Sequence, residues 1–159
     1  MRGLRYLASW ILALVLIFLY LQVTIHPLPD PPEGFVQLFD RPGENVAFQT
    51  MAEKTGIALL EPTGRVVVAL IELVLCLFLL VPASRRPAAV VSMVLLTCAL
   101  IAHLLPDVLG RELPASLAPD ERSTDYGRHF ALGVSMLALS ILLFYMHPRS
   151  RRRRDGRRI

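Results

Sequence analysis

Cysteine is scarce in this sequence. Cys76 and Cys98 are the only two, both lie inside apolar runs, and they are not spaced as CxxC. A disulfide framework, a structural zinc site and a thioredoxin-like redox motif are all excluded by that pattern. The signatures of soluble enzymes are missing too. No phosphate-binding glycine loop, no HExxH and no GxSxG occurs, so neither a catalytic residue nor a metal ligand is assigned to the chain. Proline is absent from the middle of every long apolar run: Pro27, Pro62, Pro82, Pro87, Pro106 and Pro148 fall at the ends. A proline inside a helix removes a backbone donor and lipid supplies no substitute partner, so this placement fits helices that cross a membrane.

What the chain does have is apolar surface. Of its 159 residues 54% are hydrophobic, and the mean hydropathy of +0.52 is too high for a water-soluble domain. A membrane crossing takes about 20 mostly apolar residues. Four runs qualify, at 6–23, 65–81, 88–105 and 130–146. Arg2 and Arg5 precede the first as they would precede a signal peptide. Its apolar stretch is nevertheless longer than a signal peptide's and no small-x-small site follows, so a retained anchor is expected. The expected fold class is all-α: a polytopic membrane protein, with a four-transmembrane-helix bundle over 1–148 and a basic tail over 149–159. That tail has no apolar face to bury and is expected to be disordered.

Arginine sets the orientation. Arg2 and Arg5, then Arg85 and Arg86, then the tail with Arg149, Arg151, Arg152, Arg153 and Arg154, all fall on one side of the four runs. The other two loops carry most of the acids, among them Asp30, Glu44, Glu53, Asp107 and Asp120. The positive-inside rule then places both termini in the cytoplasm, in the plasma (inner) membrane. Directly after a membrane span, such arginines set topology and meet anionic lipid headgroups, and nucleic acid is not expected as a partner. The outer loop, 24–64, opens with "HPLPDPPEG"; Val46, Ala47, Phe48, Met51 and Ala52 then predict a short amphipathic helix starting near Glu44. It would lie on the outer membrane surface or re-enter the top of the bundle. The loop from Asp107 to Arg128 shows no clear element. Tyr6, Trp10, Tyr20 and Tyr145 read as interface anchors.

Polar residues within the runs carry the functional argument. Helical spacing groups Arg65, Ala69, Glu72 and Cys76 on one face of the second run, and Ala88, Ser92, Leu95 and Ala99 on one face of the third, with His103 a turn further on. Small residues let membrane helices approach closely, which turns that stripe, and His103 with it, toward the bundle. Glu72 must face the same way, because a charge facing lipid is costly. The expectation is a Glu72–His103 pair opening to the outer face, with Arg65, Asp107, Arg128 and His129 at its mouth. Ala131, Ser135 and Ala138 would form the inward stripe of the fourth run. Such a pair suits a small ligand, a quinone headgroup or a proton, since burial and pairing tune both groups. The plainer alternative is a carboxylate that only ties two helices together. The cysteines are read as small apolar fillers.

The segment "GRVVVALIELVLCLFLLVPASRRPAAVVSMVLLTCALIAHL" resembles the DoxX-like membrane proteins. The matching positions are Gly64, Glu72, Leu73, Arg85 or Arg86, Ala88, Ala89, Met93, Ala99 and His103; where members commonly have glycines after the Glu-Leu pair, this chain has "VLCLF". The resemblance implies a four-helix membrane protein and, in part of the family, a membrane subunit linked to quinone-coupled oxidoreductases. The expected role is therefore a non-catalytic subunit or anchor of a redox complex, with quinone as the cofactor to look for. Redox-complex subunits, a second copy of the chain and anionic lipid are the partners. A small transporter component and a ligand-free scaffold are the alternatives; a proton-coupled carrier would call for broken helices or repeats, which the four runs lack.

Overall fold

The computed structural model describes residues 2–24, 26–27, 36–37, 45–115 and 123–147. These residues form five α-helices: α1 (Arg2–Thr24), α2 (Val46–Thr55), α3 (Thr63–Leu80), α4 (Arg85–Leu104) and α5 (Arg128–Met146). A two-residue strand β1 (His26–Pro27) pairs antiparallel with β2 (Val36–Gln37), and a 3-10 turn, Ala58–Leu60, leads into α3. Four of the helices, all but α2, are long and apolar enough to cross a membrane. The proline cluster of the loop beyond Pro27, and the tail with Arg149, Arg151, Arg152, Arg153 and Arg154, lie outside the described residues.

Each long helix begins before the apolar run that announces it. α4 takes in Arg85, Arg86 and Pro87, which a first turn tolerates because its backbone N–H groups have no intrahelical acceptor to lose. The turn between α3 and α4 is fixed by side chains that cap the end of α3. Ser84 Oγ donates to the carbonyls of Phe78 at 2.8 Å and Val81 at 3.1 Å. Arg85 Nε donates to that of Leu79 at 2.9 Å.

α1 packs against α3 and α5, and α4 packs against the same two, so the four long helices close a ring in the order α1, α3, α4, α5, running alternately up and down. Ala13, Leu16, Leu75, Leu79, Leu96 and Leu143 fill its centre. The outside is also apolar: Phe18, Val74, Phe78, Val94 and Leu142 are each about half exposed or more, an arrangement suited to acyl chains rather than water.

The seam between α4 and α5 is the tightest. Gly133 faces Leu100, and a Cβ built on it would stand 3.1 Å from Leu100 Cδ2. The inward side of α5 is thus Gly133, Met136, Ser140 and Leu143, with the last three buried, whereas the expected stripe of Ala131, Ser135 and Ala138 is exposed. Ser135 needs no interior partner because its hydroxyl donates to the Ala131 carbonyl of its own helix. On α4 the buried face runs through Ala88, Ala89, Ser92, Leu96 and His103, and Ala99 is exposed. If this seam sets the helix spacing, Gly133→Leu should cost about 1–3 kcal/mol by overpacking. Gly133→Ala should cost far less, since the Leu100 methyl can give and alanine is the better helix former by about 1 kcal/mol. Thermal unfolding in micelles measures both, and an unchanged Gly133→Leu would refute the close approach.

Candidate functional site

Three polar layers are stacked along the bundle. The first caps the end that carries α2. Asn45 starts α2 by accepting from the Phe48 N–H, and Gly56, at φ 71°, ends it. Lys54 Nζ then reaches the carbonyls of Pro106 at 3.0 Å and Leu109 at 2.8 Å, latching α2 to the segment that follows α4. That segment is organised by Asp125. Its carboxylate accepts from the backbone N–H groups of Leu113, Gly127 and His129, and lies 2.8 Å from His129 Nδ1. Burial alone would raise the Asp125 carboxyl, but those N–H donors and the His129 ring more than offset it and hold the group well below the usual carboxylate range.

The residues expected at a common polar mouth lie in this cap, and the structure engages them separately. Arg65, buried, shares its Nε–H between both Glu61 oxygens at 3.0 Å. His103 Nδ1 stands 2.9 Å from the Gly110 carbonyl, which can only accept, so this nitrogen donates. Its ring meets Phe130 edge to face at 6.0 Å. His129 is held by Asp125, and Asp107 and Arg128 are exposed.

The middle layer takes one polar side chain from each long helix. The hydroxyl of Tyr20 on α1 is 2.6 Å from that of Ser92 on α4, which is 2.8 Å from that of Ser140 on α5. Ser140 ends the chain by donating to the Met136 carbonyl. Tyr20, Ser92 and Ser140 are all enclosed. Glu72 on α3 is half-buried and lies within electrostatic reach of both the Tyr20 hydroxyl and the Cys76 thiol. Glu72 is eight residues from the α3 end at the short turn and His103 eighteen from the α4 start, an axial offset of roughly 15 Å at the helical rise. The expected partners thus belong to different layers. Tyr20 is a core residue, not an interface anchor.

The third layer surrounds Arg85, which has no exposed surface. Besides Leu79, its guanidinium reaches Ser9 Oγ at 3.3 Å and the Leu80 carbonyl at 3.4 Å, and its Cζ lies 4.0 Å from the centre of the Trp10 ring. The expected headgroup contact of Arg85 is therefore replaced by contacts to α1 and to the end of α3. Ser9 Oγ is in turn 2.7 Å from His147 Nδ1. Burial first, and the Arg85 and Arg86 charges next, hold His147 below its ordinary value against the opposing pull of the Pro82 carbonyl.

Among the described residues, no three His, Cys, Asp or Glu side chains gather to hold a metal ion. Cys76 is buried and Cys98 exposed. Neither Tyr20 nor Asp125 was identified from sequence as functional. The signal for Asp125 is an acid just before a glycine and an apolar run, "DYGRHF", a helix-start pattern. Comparison with protein-family models, with curated proteins and with solved structures finds no match.

Two expectations follow. Coupling through Ser92 should make the losses from Tyr20→Phe and Ser140→Ala non-additive by about 0.5–1 kcal/mol in a double-mutant cycle; strict additivity would mean that the three hydroxyls are not joined. Asp125, whose folded value is depressed, contributes stability above its unfolded value of about 3.9 that disappears as pH falls toward the folded value. Unfolding followed from pH 6 down to strong acid should therefore show a loss in wild type that Asp125→Asn largely lacks. Parallel curves for the two proteins would contradict the hub.

Proposed function

We propose that this chain is an integral membrane protein crossing the plasma membrane four times, with both termini cytoplasmic, and that it serves as a non-catalytic, quinone-linked subunit or anchor of a redox complex. The observation that carries the reading is an apolar groove of about 410 Å³ between α3 and α4, lined by Leu70, Ile71, Val74, Phe78, Pro87 and Val91 among others. It runs from the α3–α4 turn to the level of Glu72. An isoprenoid tail fits such a trough on the lipid-facing side, and Glu72, which does not line the trough but follows Ile71 in α3, is the one carboxylate of that helix that could take or give a proton beside a headgroup. The four apolar helices, the arginines at one end and the DoxX-like pattern of spans two and three support the same reading. α2 would sit at the outer surface, as an amphipathic or re-entrant piece closing the bundle.

Titration of the chain in nanodiscs with a long-tailed and a tail-free quinone analogue tests this. Glu72→Gln should weaken both by about tenfold, the worth of one good polar contact. Val91→Trp, which fills the groove, should weaken only the long-tailed one. Binding that neither substitution alters would remove the quinone from the account.

A further inference from the structure

At the end opposite α2 lies a second recess, of about 380 Å³, lined by Arg5, Arg86, Tyr145 and His147. Its charges are one-sided. Residues 1–10, 78–90 and 138–148, which build this end of the bundle, contain no aspartate or glutamate, so the guanidiniums that line it have no carboxylate neighbour from those segments. Two of the cationic side chains are already oriented. Arg5 Nη2 donates to the Tyr145 carbonyl at 2.9 Å, holding that guanidinium between α1 and α5. Arg86 packs its Cζ 4.5 Å from the centre of the Phe144 ring. Its Nε–H is buried and has no hydrogen-bond partner. A buried donor left unpaired is destabilising and rare, and here it belongs to Arg86, which lines the recess with Arg5, Tyr145 and His147. Guanidiniums keep their charge and present parallel donors that match a phosphate in pairs.

From the recess, its one-sided charge and the unpaired Nε–H, we infer that Arg5 and Arg86 form a binding site for a phosphate group, carried either by an anionic lipid headgroup or by a soluble phosphate. Arg86 meets the anion with its fork, and Arg5 closes over it from α1. Arg85 takes no part, because its own donors already serve Ser9 and the end of α3. The site does not depend on the quinone reading, since Arg5, Arg86, Tyr145 and His147 are none of the residues that line the groove.

The full chain in phosphatidylcholine nanodiscs, titrated with inorganic phosphate, and in detergent, titrated with short-chain phosphatidic acid or phosphatidylcholine, provides the test. Wild type should hold phosphatidic acid about tenfold more tightly than phosphatidylcholine, one charge-assisted contact being worth at least that factor. Arg86→Lys keeps the charge that sets topology but loses the fork, and Arg5→Gln alters an exposed side chain. Each should cost about tenfold, while Arg111→Gln at the other end leaves binding unchanged. Inorganic phosphate binding as tightly as phosphatidic acid, with the same sensitivity to both substitutions, would assign the site to a soluble phosphate; much weaker phosphate binding would assign it to the headgroup. Affinities unmoved by Arg86→Lys and Arg5→Gln, or phosphatidylcholine held as tightly as phosphatidic acid, would overturn the inference.

Discussion

A polar side chain in an apolar helix must find its partner inside the bundle, because acyl chains offer none. In this chain the requirement falls on Tyr20, Ser92 and Ser140, and the three meet through contacts of 2.6 and 2.8 Å. Much else follows from that meeting. It goes with an α5 whose Gly133 and Met136 face α4, joins α1 to α4 through the Tyr20 and Ser92 hydroxyls, and leaves Glu72 as the carboxylate within electrostatic reach of this layer.

The two ends solve the same problem by different means. At the α2 end the backbone is irregular, and its groups are met by Lys54, Asp125 and the His103 ring. Polar groups there are paired locally, Arg65 with Glu61 and the His129 ring with Asp125. Among the described residues, segments 2–10, 78–90 and 138–147 at the other end carry no carboxylate side chain. Arg85 instead satisfies the last carbonyls of α3 and stacks on Trp10, which joins α1, α3 and α4 around one side chain. Arg86, one residue on, retains a donor without a partner. The bundle is therefore electrically asymmetric: closed and paired at one end, positive and open at the other.

Much of the fold was legible in the sequence because apolar length and proline punctuation report directly on helices that need an apolar surround. The helix beginning near Glu44 was legible for a similar reason, the spacing of Val46, Ala47, Phe48, Met51 and Ala52. Side-chain orientation was not. Ala131, Ser135 and Ala138 make as good a stripe of small residues as Gly133, Met136 and Ser140, and periodicity alone cannot choose between two faces of one helix. Tyr20 lies near the end of its apolar run and so resembled an interface anchor. α1 continues to Thr24, however, and a tyrosine side chain leans toward the N-terminus of its helix, which carries the hydroxyl down to Ser92. His103 is buried and Glu72 half-buried. Their relative depth was harder to read, because depths counted from the ends of apolar runs ignore where the helices begin and end.

The account stands or falls on which face of α5 meets α4. In a background with Cys76→Ser and Cys98→Ser, the pair Ser92→Cys and Ser140→Cys should form a disulfide readily under mild oxidation, since the native hydroxyls are 2.8 Å apart. The pair Ser92→Cys and Ser135→Cys should not. Cleavage of the α4–α5 loop followed by a non-reducing gel reads the result. Efficient cross-linking of 92 to 135, with none to 140, would turn the helix to its other face and dissolve the middle layer.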